Sequence, residues 1–169
     1  LELWRHTDSD DDRLTDEGVR AALEVGGQLE GGYDVLVSSG AQRATQTLAC
    51  LLAALGQRVP HGAVVEPGLR SEVEDRWKAA YQKAGSGELD AFRSADPELV
   101  EEDSARLGAA LQRVLDRLPD GARALAVGHS PTNEAAVLGL TGQTVDPMSK
   151  GEGVLIVAED DRFRVLPLP

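Results

Sequence analysis

Apolar segments of strand length alternate along this chain with segments of helical periodicity, and this alternation is the strongest constraint on its fold. Strands that are separated by helices favour a parallel sheet, because each helix returns the chain to the same edge of the sheet. The sequence therefore predicts an α/β fold, a three-layer α/β/α sandwich with a mainly parallel central sheet. The predicted strands cover residues 1–4, 33–39 and 122–129, and the helices cover residues 14–30, 41–56, 104–118 and 131–140.

Two further segments complete this prediction. Residues 153–169 are typical of a β-hairpin that turns at Glu159 to Asp161 and adds antiparallel strands at the edge of the sheet. Residues 70–102 are polar and helix-prone, which predicts a cap or lid insertion over the main body rather than a second domain. A length of 169 residues fits a single domain, 1–169, around one hydrophobic core.

The ends and faces of the helices are also predicted from local patterns. Thr15 is placed to cap the first helix, and Gly56 closes the second. Apolar and small residues recur at helical spacing in the first helix and predict its buried face: Val19, Leu23, Gly26 and Leu29.

The charge of the chain limits its partners. With a formal net charge of −12, neither nucleic acid nor an anionic membrane is an expected partner, and an anionic ligand would need a local cluster of arginines. The single cysteine, Cys50, lies in an apolar helical run, which predicts a buried thiol in a cytoplasmic protein. The start of the chain does not resemble a secretion signal, although its first residue is not Met, which leaves a preceding segment open.

Cationic side chains follow three of the predicted strands. Arg5 and His6 follow the first strand, Arg43 lies in the first turn of the helix after the second, and His129 follows the third. Ligands of open α/β sheets bind at the carboxyl ends of the strands, so these four side chains are expected on one rim. The third histidine, His61, has no partner in this pattern and is interpreted as a loop residue.

Two helix starts strengthen the prediction of an anion site. Ser130 is predicted to cap the helix after His129, with Pro131 at its first helical position. A helix start carries free N–H groups and a partial positive charge that favour an anion. Two arginines, two histidines and two helix starts together predict a site for a tetrahedral dianion such as phosphate.

The order of these motifs resembles the histidine phosphatase superfamily, which is also called phosphoglycerate mutase-like. The resemblance rests on "LWRHT" at the start, then "RLTDEG", "SSGAQRATQT" and finally "AVGHS". It runs from the first residue to about residue 140 and is thin between Ser71 and Leu107.

The resemblance implies a role for each member of the cluster. His6 would be the nucleophile that forms a phosphohistidine, which water then hydrolyses. Arg5, Arg43 and His129 would hold the phosphoryl oxygens as charge moves in the transition state. His6 should be neutral and held in one tautomer, and the flanking arginines should depress its pKa. The resemblance implies neither a metal nor any other cofactor.

Three positions depart from the family pattern. Thr7 stands where the family usually has Gly and could bind substrate through its hydroxyl, as Ser130 could. The acidic run "DSDDD", residues 8–12, is either a solvated loop or a selector of a positively charged substrate. Ser71 takes the position of the glutamate that protonates the leaving group, so Glu72 is the predicted acid, with Glu74 or no dedicated donor as alternatives.

The leading functional prediction is a metal-independent phosphatase that acts on a phosphomonoester or a phosphoramidate, in a phosphorylated small molecule or a phosphoprotein. The alternatives are a phosphoglycerate mutase-type phosphotransferase and a non-catalytic protein that binds a phosphorylated ligand. Specificity is expected to come from the cap, including Arg76, Trp77 and Tyr81. The physiological substrate and the oligomeric state stay open.

Overall fold

A six-stranded sheet forms the centre of the protein, in a computed structural model that describes residues 1–159 and 162–168. The strands are β1 (Glu2–Arg5), β4 (Val35–Ser38), β5 (Ala63–Val65), β6 (Ala124–Gly128), β7 (Gly153–Glu159) and β8 (Arg162–Pro167), and a separate small hairpin pairs β2 (Ser9–Asp10) with β3 (Arg13–Leu14). The helices are α1 (Asp16–Gln28), α2 (Gln42–Leu55), α3 (Glu74–Ala84), α4 (Leu89–Ala95), α5 (Pro97–Asp116) and α6 (Thr132–Thr141), with a short 3₁₀ helix at Pro67–Leu69.

The strand order is β5-β4-β6-β1-β7-β8, and the first four of these strands are parallel. Strand β7 runs antiparallel to β1, and β8 runs antiparallel to β7. This arrangement confirms the predicted mainly parallel sheet with an antiparallel hairpin at its edge. The residues of the predicted turn after Glu159, Asp160 and Asp161, lie outside the described part of the chain.

Alternate strand residues enter two different hydrophobic cores, as the period of two in a strand requires. Leu3 and Ala126 pack in a core with residues of α3, α4, α5 and α6. Trp4 and Leu125, their neighbours in sequence, pack on the opposite face with residues of α2. The sheet is therefore covered on both faces, which gives the predicted three-layer sandwich.

Helix α1 buries only part of the predicted face. Thr15 caps it as expected, because its Oγ1 accepts a hydrogen bond of 3.0 Å from the N–H of Gly18. Val19 and Leu23, however, are 36% and 41% exposed, and the buried residues of the helix are Gly18, Ala22 and Gly26. The prediction was wrong for Val19 and Leu23 and right for Gly26. Small residues face the neighbours of α1 because the helix approaches them closely: a Cβ on Gly26 would lie 2.8 Å from the carbonyl oxygen of Leu51 in α2.

The cap segment is partly built into the main body. Helix α5 begins at Pro97, within the predicted cap, rather than near residue 104. Trp77 of α3 and Phe92 of α4 are 3% and 0% exposed, and both belong to the core that contains Leu3. That this segment acts as a lid stays a prediction, whereas its contribution to the core is a structural fact.

Cys50 is only half-buried in α2, and burial raises the pKa of its thiol. Gly56 ends the same helix in the left-handed conformation, at φ 63°, as predicted. Within the described residues, no helix has both the length and the apolar character that a bilayer crossing needs.

Candidate active site

His6 and His129 lie side by side because β1 and β6 are neighbouring parallel strands. The register of the two strands pairs Arg5 with Gly128, so both histidines leave the sheet at the same level. Their ring centroids are 5.2 Å apart, and the two residues are 7% and 6% exposed. The structure thus brings together the two histidines that the sequence places after separate strands.

The ring of His6 is fixed through one of its nitrogens. Nδ1 lies 2.7 Å from the carbonyl oxygen of Thr7, which can only accept, so Nδ1 carries the proton and donates it to this oxygen. The unprotonated nitrogen is then Nε2. Burial, as the largest cause, lowers the pKa of His6 to about 4, although the bond to Thr7 opposes this shift. The positive charges of Arg43, Arg5 and Lys150 lower the pKa of His6 further.

His129 is held by hydrogen bonds through its ring and its main chain. Its Nε2 lies 2.8 Å from Oγ of Ser39, its main-chain N–H donates to Oδ1 of Asn133 at 3.1 Å, and its carbonyl accepts from the hydroxyl of Thr132. Nδ1 of His129 is buried and has no hydrogen-bond partner in the described chain. Burial is again the largest cause that lowers its pKa, to about 3, followed by the charge of Arg43.

We expect both imidazoles to stay neutral from pH 7 to about pH 5, where an ordinary histidine is mostly protonated. The pKa values shift downward because burial disfavours the charged form of the ring. A titration of the imidazole carbon signals by NMR, assigned with His6→Gln and His129→Gln variants, measures this. A midpoint near 6.5 for either ring would contradict the description of the site.

Arg43 lies at the start of α2 and is already paired with a carboxylate. Its Nη1 is 3.0 Å from Oδ1 of Asp12, and its side chain is 17% exposed. The same carboxylate accepts hydrogen bonds from the main-chain N–H groups of Gln42 and Arg43. Asp12 of the acidic run therefore caps α2, although it lies far from this helix in the sequence. Ala41, the residue at the cap position, has no polar side chain and cannot cap the helix itself.

We expect Asp12→Asn to strengthen the binding of an anion at Arg43. An asparagine oxygen still accepts from the N–H groups of α2, but its lost charge no longer competes with an incoming anion. A partly exposed ion pair is worth about 0.2–1 kcal/mol, so the inhibition constant of inorganic phosphate or tungstate should fall by a factor of about 1.4 to 5. Asp11→Asn, in the same loop with the same change of charge, is the control and should leave this constant nearly unchanged. If the two substitutions lower the inhibition constant equally, the net charge of the loop and not the ion pair of Asp12 with Arg43 controls anion binding, which would contradict the prediction.

Arg5 is positioned by the loop that precedes β7. Its Nη1 donates to the carbonyl oxygen of Met148 at 2.7 Å, and the N–H of Met148 donates to Oε1 of Glu134 at 2.7 Å. Glu134 is fully buried in α6, so its carboxyl group holds the main chain of the residue whose carbonyl oxygen holds Arg5. Burial lowers the pKa of Arg5, while the negative charge of Glu134 acts in the opposite direction.

Thr7 and Ser130 use their hydroxyls within the protein. Oγ1 of Thr7 donates to the carbonyl oxygen of Gly18 at 2.8 Å. Oγ of Ser130 donates to Oε1 of Glu134 at 2.6 Å, and the residue at the cap position of α6 is Pro131, without a capping side chain. The predicted capping role of Ser130 was therefore wrong, because its hydroxyl bonds to the carboxylate one turn along the helix instead.

The structure separates the candidate proton donors. The side chain of Glu72 is 84% exposed and pairs with Arg106 at 2.7 Å, and Ser71 is buried with its hydroxyl on Asp103. Glu74 instead lines a cavity of about 380 Å³, together with Arg43 and His129. Its Oε1 is 2.6 Å from Nε of Arg70.

Several residues of the site are missing from the predicted set. The positive charge of Lys150 lowers the pKa of His6, and that of Arg70 lowers the pKa of His129. Ser39 and Asn133 form hydrogen bonds with His129. Glu134 binds the main chain of the residue that positions Arg5. Ser39 could have been found, because it lies in the segment "SSGAQRATQT", and Arg70 could have been found because it directly precedes Ser71, the position of the family's glutamate. In residues 1–159 and 162–168, no cluster of three or more His, Cys, Asp or Glu side chains could hold a metal ion.

Comparisons with known proteins show the family of the chain. The family model of the histidine phosphatase superfamily (branch 1) matches residues 2–155 of the chain. No curated protein shows a significant match to the sequence.

Solved structures share the fold at low sequence identity. A phosphoglycerate mutase from Bacillus anthracis is 20% identical with a TM-score of 0.69, over 99% of this chain and 92% of that one. A mycobacterial glucosyl-3-phosphoglycerate phosphatase in complex with inorganic phosphate is 16% identical with a TM-score of 0.71, over 98% and 94%. The protein histidine phosphatase SixA in complex with tungstate is 21% identical with a TM-score of 0.59, over 98% and 92%.

Proposed function

The chain belongs to the histidine phosphatase superfamily, and we propose that it is a metal-independent phosphatase that hydrolyses a phosphomonoester or a phosphoramidate through a phosphohistidine on His6. One observation carries this proposal: the buried ring of His6 has Nδ1 bonded to a carbonyl oxygen and a pKa of about 4. Such a ring is neutral at physiological pH and keeps the lone pair of Nε2 available for attack.

The proposed reaction has two displacements at phosphorus. Nε2 of His6 forms a bond to phosphorus as the bond to the leaving oxygen or nitrogen breaks, and the leaving group takes up a proton. Water then attacks the phosphohistidine, the N–P bond breaks, and inorganic phosphate leaves.

The cations around His6 stabilise the charge on the phosphoryl oxygens in both displacements. Arg5 and Arg43 are the guanidinium groups that act on the His6 ring, and Arg43 also acts on His129. The buried Nδ1 of His129 supplies a further donor when the hydroxyl of Ser39 donates to Nε2. These groups give an anion-binding centre to a chain whose net charge is −12.

Glu74 replaces Glu72 in our proposal as the carboxyl group that protonates the leaving group, because Glu74 lines the cavity and Glu72 faces Arg106. The carboxyl group of Glu74 is engaged by Arg70 at 2.6 Å, so a leaving group would have to compete with this ion pair for it. Leaving groups that depart without full protonation, such as aryl oxides, are therefore expected to react fastest.

The test of the proposed function uses the purified chain with an aryl phosphate, in the presence and absence of a chelator. We expect release of inorganic phosphate in both cases, and an acid-labile phosphate on the protein after rapid quenching. The same protein with 3-phosphoglycerate should release phosphate rather than form an isomer, which separates hydrolysis from phosphate transfer. No turnover and no labelled protein would contradict the proposal and favour a protein that only binds its ligand.

A further inference from the structure

The cavity beside the proposed phosphate site has a largely apolar lining. Arg43 and His129 connect it to that site, and its other lining residues come from one face of α3 and from the start of α6. A ligand whose phosphoryl group lies on His6 would therefore extend its leaving group into this cavity. We propose that the cavity receives a planar ring carried by the leaving group of the substrate, an inference that rests on the proposed phosphatase function.

Tyr81 is the residue of the cavity that best suits a ring. Its side chain is among the exposed large hydrophobic residues, at 55%, although it lies on the same helix as the buried Trp77. Phe92 supports the Tyr81 ring from the core at a centroid distance of 6.2 Å, and Trp77 packs edge-on against Phe92 at 5.2 Å. An aromatic residue that is braced on one side and open on the other is suited to stack on a ligand ring.

The opposite wall offers apolar surface and few free polar groups. Pro131 and Thr132 form this wall, and the hydroxyl of Thr132 already donates to the carbonyl oxygen of His129. On α3, Glu74 is paired with Arg70, whereas Lys78 and Gln82 are exposed polar residues of the lining. The apolar surface of Tyr81 and Pro131 is what a flat ring would cover.

The volume of the cavity also fits this ligand class. About 380 Å³ is within the range of small-molecule sites and accommodates one ring with its linker. In this proposal the lining of the cavity discriminates between leaving groups of different shape. Arg43 and the two histidines bind the phosphoryl group, which every substrate of the enzyme shares.

Two phosphates with nearly equal leaving-group acidity test the inference. 2-Phenylethyl phosphate and ethyl phosphate differ in a ring that is remote from the bond that breaks. We expect kcat/KM to be about tenfold higher for the phenyl compound, which corresponds to a typical ring stacking and burial contribution. Tyr81→Ala should reduce this ratio to about one to two, and Tyr81→Phe should keep it, because the ring and not the hydroxyl makes the contact.

The ratio of two substrates on one protein sample is independent of the fraction of folded enzyme, so a merely structural effect of Tyr81→Ala does not move it. Lys83→Ala, exposed on the same helix but outside the cavity lining, is the control and should preserve the ratio. Equal kcat/KM values in the original protein, or a ring preference that survives Tyr81→Ala, would overturn the inference while leaving the phosphatase proposal intact.

Binding of the matching phosphonates separates failure of the inference from failure of the proposed function. 2-Phenylethylphosphonate and ethylphosphonate cannot be hydrolysed, and calorimetry reads their affinities without any turnover. Absence of both turnover and phosphorylated protein refutes the proposed function. A tenfold tighter phenyl compound in that case still supports a ring-binding cavity, and equal affinities refute it.

Discussion

His6→Ala is expected to lower kcat for an aryl phosphate by more than about 10⁴-fold and to abolish the acid-labile phosphate on the protein. His6 is the only side chain in the proposal that forms a bond to phosphorus, so no other side chain of the proposed site replaces it. His129→Ala should cost less, about 10²–10³-fold, because it removes one donor to the phosphoryl oxygens. The labelled protein should still form in His129→Ala, but more slowly.

These two histidines make a well-matched pair of variants. Both residues are less than a tenth exposed, both follow neighbouring strands of the sheet, and both rings are neutral. Damage to the fold from the loss of a buried imidazole should therefore be similar in the two proteins. Rapid quenching followed by acid treatment measures the label. A stable label on His6→Ala, or its loss only in His129→Ala, would move the nucleophile away from His6.

Much of the candidate site could be predicted because it depends on the direction of the strands. Arg5, His6 and His129 each follow a strand, and strand–helix alternation predicts that such strands are parallel. The register that pairs Arg5 with Gly128 then places these side chains at one edge of the sheet. Arg43 follows from the same rule, since it starts the helix after β4. Backbone direction alone sufficed for these four positions.

The remaining parts of the site depend on pairings between distant segments, which local patterns do not determine. Asp12 caps α2 across 30 residues of sequence, and Lys150 pairs with Asp8 across 142. Ser130 had the right residue type for a helix cap, but the buried carboxylate of Glu134 is a stronger acceptor for its hydroxyl. Glu72 and Glu74 are both plausible proton donors in the sequence. Only the folded chain distinguishes them, because Glu74 lines the cavity and Glu72 pairs with Arg106 outside it.

The face of α1 shows the same limit in the hydrophobic core. Periodicity favoured its large apolar residues, Val19 and Leu23, but the helix buries Gly18, Ala22 and Gly26. Periodicity reports which residues share a face, whereas the distance between two helices decides whether large or small side chains fit there. Helices α5 and α6 are packed with the same closeness through glycine.

Gly139→Ala is the substitution expected to destabilise the fold most. Gly139 of α6 faces α5, and a Cβ at this position would collide with the carbonyl oxygen of Ser104. Gly108 of α5 makes the reciprocal approach to the backbone of Gly139, so neither helix can yield locally. Because the colliding atom is backbone, one methyl group should cost about 3 kcal/mol in the free energy of unfolding. For a chain of this size this is a fall in Tm of about 6–12 °C.

Gly27→Ala provides the control, because it makes the same chemical change in a helix without the collision. Gly27 lies in the last turns of α1, is exposed, and has no atom within 4 Å of an added Cβ. Alanine has the higher helix propensity, so this variant should be more stable by about 0.5–1 kcal/mol. Urea unfolding at constant pH measures both variants. If Gly139→Ala lowers the free energy of unfolding and Gly27→Ala raises it, the close approach of α5 and α6, rather than the glycine content of the helices, limits stability. If Gly139→Ala leaves the free energy of unfolding unchanged, the two helices can move apart without loss of stability, which would contradict the prediction.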